Sequence, residues 1–316
     1  LTVSIYTQLG SDPNSFIDHS PSWLREEMGG SYIIGSDECP VQPAPRYDNE
    51  AYQAAFQEMV AALGLKYRDN PRITAIAIGV GYDDETAATR LREFEGCNYS
   101  EFLYRDYVSP GEYAAFVTRA MSLYRQAFPA TPLYVQAGNA EWEHRETFVV
   151  HGSTLHPPVG YKPNVLAPDM GAAFGWASSQ EGRGFIQIAE EYRDSIPLAY
   201  EPKAAPYHVD QDDRRQHAYW MTLNALAHDA DFIAYQSFCT SLDTTECSWF
   251  PYLAAVDESP DLFGGFVQFV AGNLGHTPST SSDVWIVLRD SEFERNRYVS
   301  VEPGDWHHWL YLVWEG

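Results

Sequence analysis

The stretch that decides the fold is "RITAIAIGVGYDDETAATR", residues 72–90. Residues 73–80 are apolar but for Thr74 and show no polar alternation, the pattern of a strand buried on both faces of a sheet. The run ends at Gly81-Tyr82 and three acids follow at once, Asp83, Asp84 and Glu85. An interior strand that delivers carboxylates at its C-terminal end needs a reason beyond packing.

Working outward, similar strands are expected at residues 2–7, 132–137, 164–167, 196–200 and 231–235. Helices are expected between them, at 49–65, from Ser109 to about 127, at 185–192, 214–228 and 260–274. In the 49–65 segment, Tyr52, Phe56, Met59, Val60 and Leu63 fall on one helical face. The segment "SPGEYAAFVTRAMSLYRQAF" has Ser109 as N-cap, Pro110 at the first helical position and Glu112 completing a capping box. Strands alternating with helices predict an α/β fold with a parallel sheet. No Gly-rich phosphate motif follows any strand, which argues against a nucleotide-binding doubly wound sheet. The remaining parallel architecture is the (β/α)8 TIM barrel. Six strands are legible where eight are required. Either two lie unread in the long loops, expected at about 10–47 and 138–162, or two precede Leu1; the abrupt start favours the second, so residues 1–280 would carry barrel strands three to eight. Residues 281–316 read differently. "DVWIVLRD" and "HHWLYLVWEG" are β segments without intervening helices, the expected start of an accessory β region.

Composition excludes several partners. The 316-residue chain has a net charge of −24 and only three lysines, Lys66, Lys162 and Lys203. Such a surface repels nucleic acid and anionic membranes, and no apolar run is long enough to span a bilayer. The four cysteines, Cys39, Cys97, Cys239 and Cys247, include no C-x-x-C pair, so a zinc site is not expected. Cys239–Cys247 and Cys39–Cys97 are the pairings the loops allow, with free thiols as the alternative. An even count in an acidic, aromatic-rich chain favours a secreted or extracytoplasmic location. The histidines show no metal-binding spacing, and His307-His308 reads as surface.

In a barrel the chemistry sits at the C-terminal strand ends. Those ends offer Tyr6 and Gln8; Asp83, Asp84 and Glu85; Gln136, Asn139, Glu141, Trp142 and Glu143; Asp169; Glu201; and Tyr235 with Gln236. Two acids at one barrel mouth point to glycoside hydrolysis. One carboxylic acid protonates the departing oxygen and the other attacks, at a separation of about 5–5.5 Å in retaining enzymes. Glu85 and Glu201 are the candidates. Glu201 has an ion pair with Lys203 or an arginine as its alternative role, and Glu85 a helix-start acid favoured by the dipole. Trp142, Trp176 and Trp249 fall in loops after strands, where a ring could stack on the C–H face of a sugar. The alternative for each is a tryptophan that packs its loop.

The run "YDNEAYQAAFQEMVAALGLKYRDNPRITAIAIGVGYDDE" resembles the third-to-fourth-strand region of beta-galactosidase-like clan A glycoside hydrolases, with Tyr67-Arg68-Asp69-Asn70-Pro71 as the turn before the strand. "PLAYEPK" resembles the nucleophile strand, and "FGGFVQFVAGNLGHTPSTSSDVWIVLRD" the last barrel helix and exit of bacterial multidomain members. The resemblance spans most of residues 1–290 and is specific for the superfamily, not for the substrate. It implies acid/base Glu85 on strand four and nucleophile Glu201 on strand seven, which agrees with the two-strand offset. Two positions depart from the pattern. Asp84 stands where the family has an asparagine that bonds the sugar 2-hydroxyl, and Tyr235 where many members have a tryptophan.

The expected function is therefore a retaining glycoside hydrolase acting on an oligo- or polysaccharide. Glu85 and Glu201 would be catalytic, and Asp84, Gln136, Asn139, Trp142, Asp169, Trp176, Tyr235 and Trp249 would contact substrate. No cofactor is required, and carbohydrate is the expected partner. The alternatives are a non-catalytic carbohydrate-binding barrel and a metal-dependent barrel hydrolase using Asp83, Glu85, Asp169 and Glu201 as oxygen ligands.

Overall fold

The computed structural model describes residues 21–36, 39, 41–81, 86, 88, 97, 99–137, 144–164, 166, 184–202, 209, 214–235, 249–257, 270 and 274. The chain divides into two compact units, Leu1–Lys162 and Pro163–Gly316. The expected strand at 2–7 and the tail from 281 lie outside the described residues, as does the expected domain boundary near 280. Of the helix expected at 260–274, only Val270 and Leu274 are described, joined by a helical bond from the Leu274 N–H to the Val270 carbonyl at 3.1 Å.

The first unit opens with α1 (Ser22–Glu27) and an antiparallel pair, β1 (Tyr32–Ile34) and β2 (Gln42–Ala44). The reading of residues 10–47 as one long loop is thereby corrected. A disulfide between Cys39 and Cys97, with Cα atoms 5.8 Å apart, ties the β1–β2 connection to a segment 58 residues away. α2 (Glu50–Tyr67) begins where Asn49 caps the Ala51 and Tyr52 amides. β3 (Ile76–Ile78), α3 (Tyr99–Asp106), α4 (Pro110–Ala127), β4 (Leu133–Ala137), α5 (Arg145–Thr154) and β5 (Gly160–Pro163) follow.

The capping box forms as its spacing requires. The Ser109 hydroxyl accepts the Glu112 N–H at 3.2 Å, and the Glu112 carboxylate accepts the Ser109 N–H at 2.8 Å. α4 then buries Tyr113, Phe116, Val117, Ala120, Met121 and Tyr124. Phe116 meets Tyr47, Tyr52 and Phe56 at ring-centroid distances of 5.7, 5.8 and 5.3 Å. The Phe56 pair is edge-to-face and the other two are tilted, and edge-to-face pairs add to simple area burial. The two long helices cross closely at Gly64, where a Cβ would lie 2.6 Å from the Ala127 carbonyl oxygen.

β4 lies between β3 and β5, and β3 pairs with β4 in parallel: Ile76 with Leu133, Ala77 with Tyr134, Ile78 with Val135. β5, at Gly160–Pro163, precedes the expected fourth strand at 164–167, of which Asn164 and Leu166 are described and Leu166 bridges Pro202 in parallel, and α5 lies within the loop expected over 138–162. That β5 was not expected has a physical cause. Lys162 and Pro163 both disfavour a strand reading. A strand-final proline, however, lacks only its own N–H, and its carbonyl still accepts a bond from the Glu201 N–H at 3.3 Å.

The second unit contains α6 (Phe185–Tyr192), β6 (Ala199–Tyr200), α7 (Arg214–Ala227), β7 (Phe232–Ile233) and α8 (Phe250–Asp257). β6 and β7 pair in parallel, Ala199 with Phe232 and Tyr200 with Ile233. A separate parallel bridge joins Leu166 to Pro202. Parallel strands with intervening helices make the chain α/β. Among the described residues no closed barrel is traced, and no helix is long and apolar enough to cross a membrane.

Candidate functional site

In the first unit the site is built from the end of β4. Side chains alternate along a strand, so Leu133 and Val135 share one face of the sheet with Ile76 and Ile78. Tyr134 and Gln136 share the other with Ala77. Lys162 belongs to the Gln136 face, because its Nζ donates to Gln136 Oε1 at 2.9 Å. Tyr134, Gln136 and Lys162 are 5%, 1% and 1% exposed. In β3 and β4 one sheet face is thus aliphatic and the other carries polar groups, and both are covered. On the opposite face from Lys162, burial pushes the Tyr161 phenol up, opposed by the charge of Arg145.

The acid run is bracketed on both sides. Gly81, at φ +145°, occupies backbone that side chains rarely adopt and lets the chain leave β3. Thr86, the residue after Glu85, donates its N–H to the Gln136 carbonyl at 3.0 Å, and the Tyr47 hydroxyl donates to the Ala88 carbonyl at 2.9 Å. Asp83, Asp84 and Glu85 themselves lie outside the described residues, as do Asn139, Trp142, Asp169 and Trp176.

In the second unit Glu201 follows β6 directly. Its N–H donates to Pro163 at 3.3 Å and its carbonyl accepts from Leu166 N–H at 2.9 Å. The residue is 4% exposed. Its main chain is held on both sides, and a carboxylate group is buried at a strand's C-terminal end. A buried carboxylate is costly unless it is hydrogen-bonded or charge-paired, and it is the kind of group whose proton affinity an enzyme can set.

Tyr235 lies just beyond β7. Its hydroxyl sits 2.5 Å from Thr222 Oγ1, which is also 2.6 Å from the Ala218 carbonyl. A carbonyl only accepts, so the single Thr222 proton goes to Ala218 and Tyr235 donates to Thr222. Tyr235 can then offer a ligand an acceptor oxygen only. Burial pushes its phenol up, with the Thr222 bond pulling the other way.

Trp249 corrects its reading as an open stacking platform. It is wholly buried, with its ring stacked on His217 at 5.0 Å and 9° and edge-on to Tyr252 at 6.0 Å. It precedes α8, which packs on α7, and a large ring at that junction lowers its exposure by filling it. His217 beneath it is pushed down to about 4 by burial and is neutral at pH 7. Nearby, Arg214 donates to the Val209 carbonyl at 2.9 Å and to the Tyr252 hydroxyl at 3.0 Å.

The structure therefore groups Gln136 with Thr86 and Lys162 in one unit, and sets Glu201 and Tyr235 at strand ends in the other. Thr86, Lys162 and Thr222 were not singled out from the sequence. The signal for Lys162 was its rarity: one of three lysines, placed between Tyr161 and Pro163 in an otherwise apolar run. Among the described residues no three histidine, cysteine or acidic side chains come together to hold a metal.

No protein-family model matches the chain, and no curated protein matches it. Solved structures similar to it include the catalytic domain of a beta-amylase from Paenibacillus polymyxa. That likeness has 9% identity over 73% of this chain and 74% of that one, with a TM-score of 0.45. They also include a beta-galactosidase from the psychrophilic Marinomonas ef1, at 11% identity over 79% of this chain, with a TM-score of 0.45. This chain spans 50% of that beta-galactosidase's length.

Proposed function

We propose that this protein is a glycoside hydrolase that cleaves an oligo- or polysaccharide with retention, through two glutamates on a (β/α) barrel. The observation that carries the reading is Glu201, 4% exposed and directly after β6, with its main chain bonded on both sides. Supporting it is the polar face at the end of β4, where the N–H of Thr86, the residue after Glu85 in the sequence, bonds the Gln136 carbonyl.

In the first step Glu85 gives its proton to the departing glycosidic oxygen while the Glu201 carboxylate attacks the anomeric carbon, forming a glycosyl-enzyme ester. In the second, Glu85 as a carboxylate takes a proton from water, whose oxygen displaces Glu201. Gln136, Asn139 and Asp169 would hold sugar hydroxyls, with Asp84 accepting at the 2-hydroxyl. Trp142 and Trp176 would supply stacking faces, and Tyr235 an acceptor for a hydroxyl proton. Trp249 would act from beneath, by packing. The Cys39–Cys97 disulfide favours a secreted or extracytoplasmic location, since such bonds persist in oxidising surroundings.

The test is sugar release from a panel of aryl glycosides and plant and algal polysaccharides, with wild type beside Glu201→Gln. Loss of about a thousandfold or more in turnover by the variant is expected when a nucleophile is removed. Equal rates on a cleaved substrate would make Glu201 structural.

A further inference from the structure

Buried polar atoms are almost always hydrogen-bonded, and each exception calls for a cause. Two exceptions adjoin each other at the end of β4. Gln136 is 1% exposed, and its Nε2 has no hydrogen-bond partner among the described residues. Thr86 is 0% exposed, and its Oγ1 likewise has none. A backbone bond of 3.0 Å, from Thr86 N–H to the Gln136 carbonyl, joins the two residues.

Lys162 settles which way the amide faces. An ammonium only donates, so its 2.9 Å contact must be to the amide oxygen. Nε2 is then turned away from Lys162 and held there. With Oε1 engaged, Gln136 can only donate to a ligand. The Thr86 hydroxyl can donate and accept. A donor and a hydroxyl on two residues joined through their backbones match the alcohols of a sugar, which accept from one and donate to the other.

We propose that Thr86 and Gln136 form a subsite for saccharide hydroxyls, with Lys162 as the positioning residue that fixes the Gln136 amide; this rests on the carbohydrate reading above and adds residues to it. Two buried groups without partners among the described residues cost the free protein stability. A ligand that satisfies both accounts for their retention, because stability and binding then trade against each other.

The experiment is calorimetric titration of the full chain with methyl β-glucoside, methyl β-galactoside, methyl β-xyloside and methyl β-glucuronide. Thermal melting is measured in parallel on wild type, Thr86→Val, Gln136→Glu, Lys162→Met and Lys162→Arg. At least one neutral glycoside should bind wild type. Thr86→Val and Gln136→Glu should each weaken it by about tenfold, the value of one hydrogen bond in a buried site. Thr86→Val should melt no lower than wild type, because it removes an unpaired hydroxyl. Lys162→Met should weaken binding and Lys162→Arg should retain most of it.

Unchanged binding in folded Thr86→Val and Gln136→Glu would overturn the subsite. So would a lower melting temperature in Thr86→Val, or no binding of any of the four glycosides to wild type. A Lys162-dependent preference for the glucuronide would overturn the hydroxyl assignment in favour of a carboxylate. Aryl glycoside turnover, measured alongside, separates the two claims. Turnover with normal binding in the variants sinks the subsite alone. Thr86-dependent binding without turnover in wild type sinks the hydrolase alone.

Discussion

His217 shows how one residue's surroundings set a measurable property. Its ring lies flat on Trp249 and burial pushes it from 6.5 down to about 4. A folded value below the unfolded one means the native state binds the proton less readily. Its contribution to stability is complete above about pH 6.5 and is lost as pH falls through 4, a change of about 3 kcal/mol over that interval. Urea unfolding at pH 7, 5.5 and 4 should show wild type losing more stability than His217→Gln across that window. Parallel pH profiles would mean that the imidazole does not carry the effect. Tyr235 makes a smaller prediction of the same kind. Tyr235→Phe removes a donor while leaving Thr222 bonded to Ala218 at 2.6 Å, so it should cost about 1 kcal/mol in denaturant unfolding. A loss several times larger would mean that Thr222 needs the phenol.

At the scale of elements, local rules read well and long-range ones less so. The spacing of Ser109, Pro110 and Glu112 locates the start of α4 because capping is a contact within one turn. The apolar spacing from Tyr52 to Leu63 locates α2 for the same reason. β5 escaped the reading because Lys162 and Pro163 look like loop residues until their partners are known. Those partners, Gln136 and Glu201, are 26 and 38 positions away in the numbering, and no local pattern encodes them. Trp249 escaped for a related reason, since burial depends on what α7 and α8 bring together. Gly64 carries a sharp prediction at this scale. In a helix interior, glycine to alanine usually gains about 1 kcal/mol. At Gly64 the new Cβ would meet the Ala127 backbone oxygen at 2.6 Å, so Gly64→Ala should instead destabilise by about 1–3 kcal/mol. Gly111, with nothing within 4 Å of its would-be Cβ, is the control, and Gly111→Ala should be neutral or stabilising. Denaturant midpoints decide it, and a stabilised Gly64→Ala would mean that α2 and α4 can separate without loss.

At the scale of the whole chain, the Cys39–Cys97 bond closes a loop of sequence separation 58, a constraint worth about 4 kcal/mol in the chain-entropy account. Reduction, or Cys39→Ala with Cys97→Ala, should lower the melting temperature by on the order of 10 °C. An unchanged melting curve would mean that the bond adds nothing to the fold. The alternation of strands and helices was legible over 49–80, 109–137, 185–200 and 214–235, because buried parallel strands and amphipathic helices leave different patterns. Of the acids expected at strand ends, Glu201 is the one among the described residues, and it stands buried directly after β6. The measurement that tests the central claim most directly is covalent trapping with a 2-fluoro aryl glycoside of a sugar that the protein cleaves, read by intact mass and peptide mapping. The account predicts one glycosyl unit per chain, attached to the peptide containing Glu201 and absent in Glu201→Gln. Continued cleavage with no trapped adduct, or an adduct on another residue, would contradict it.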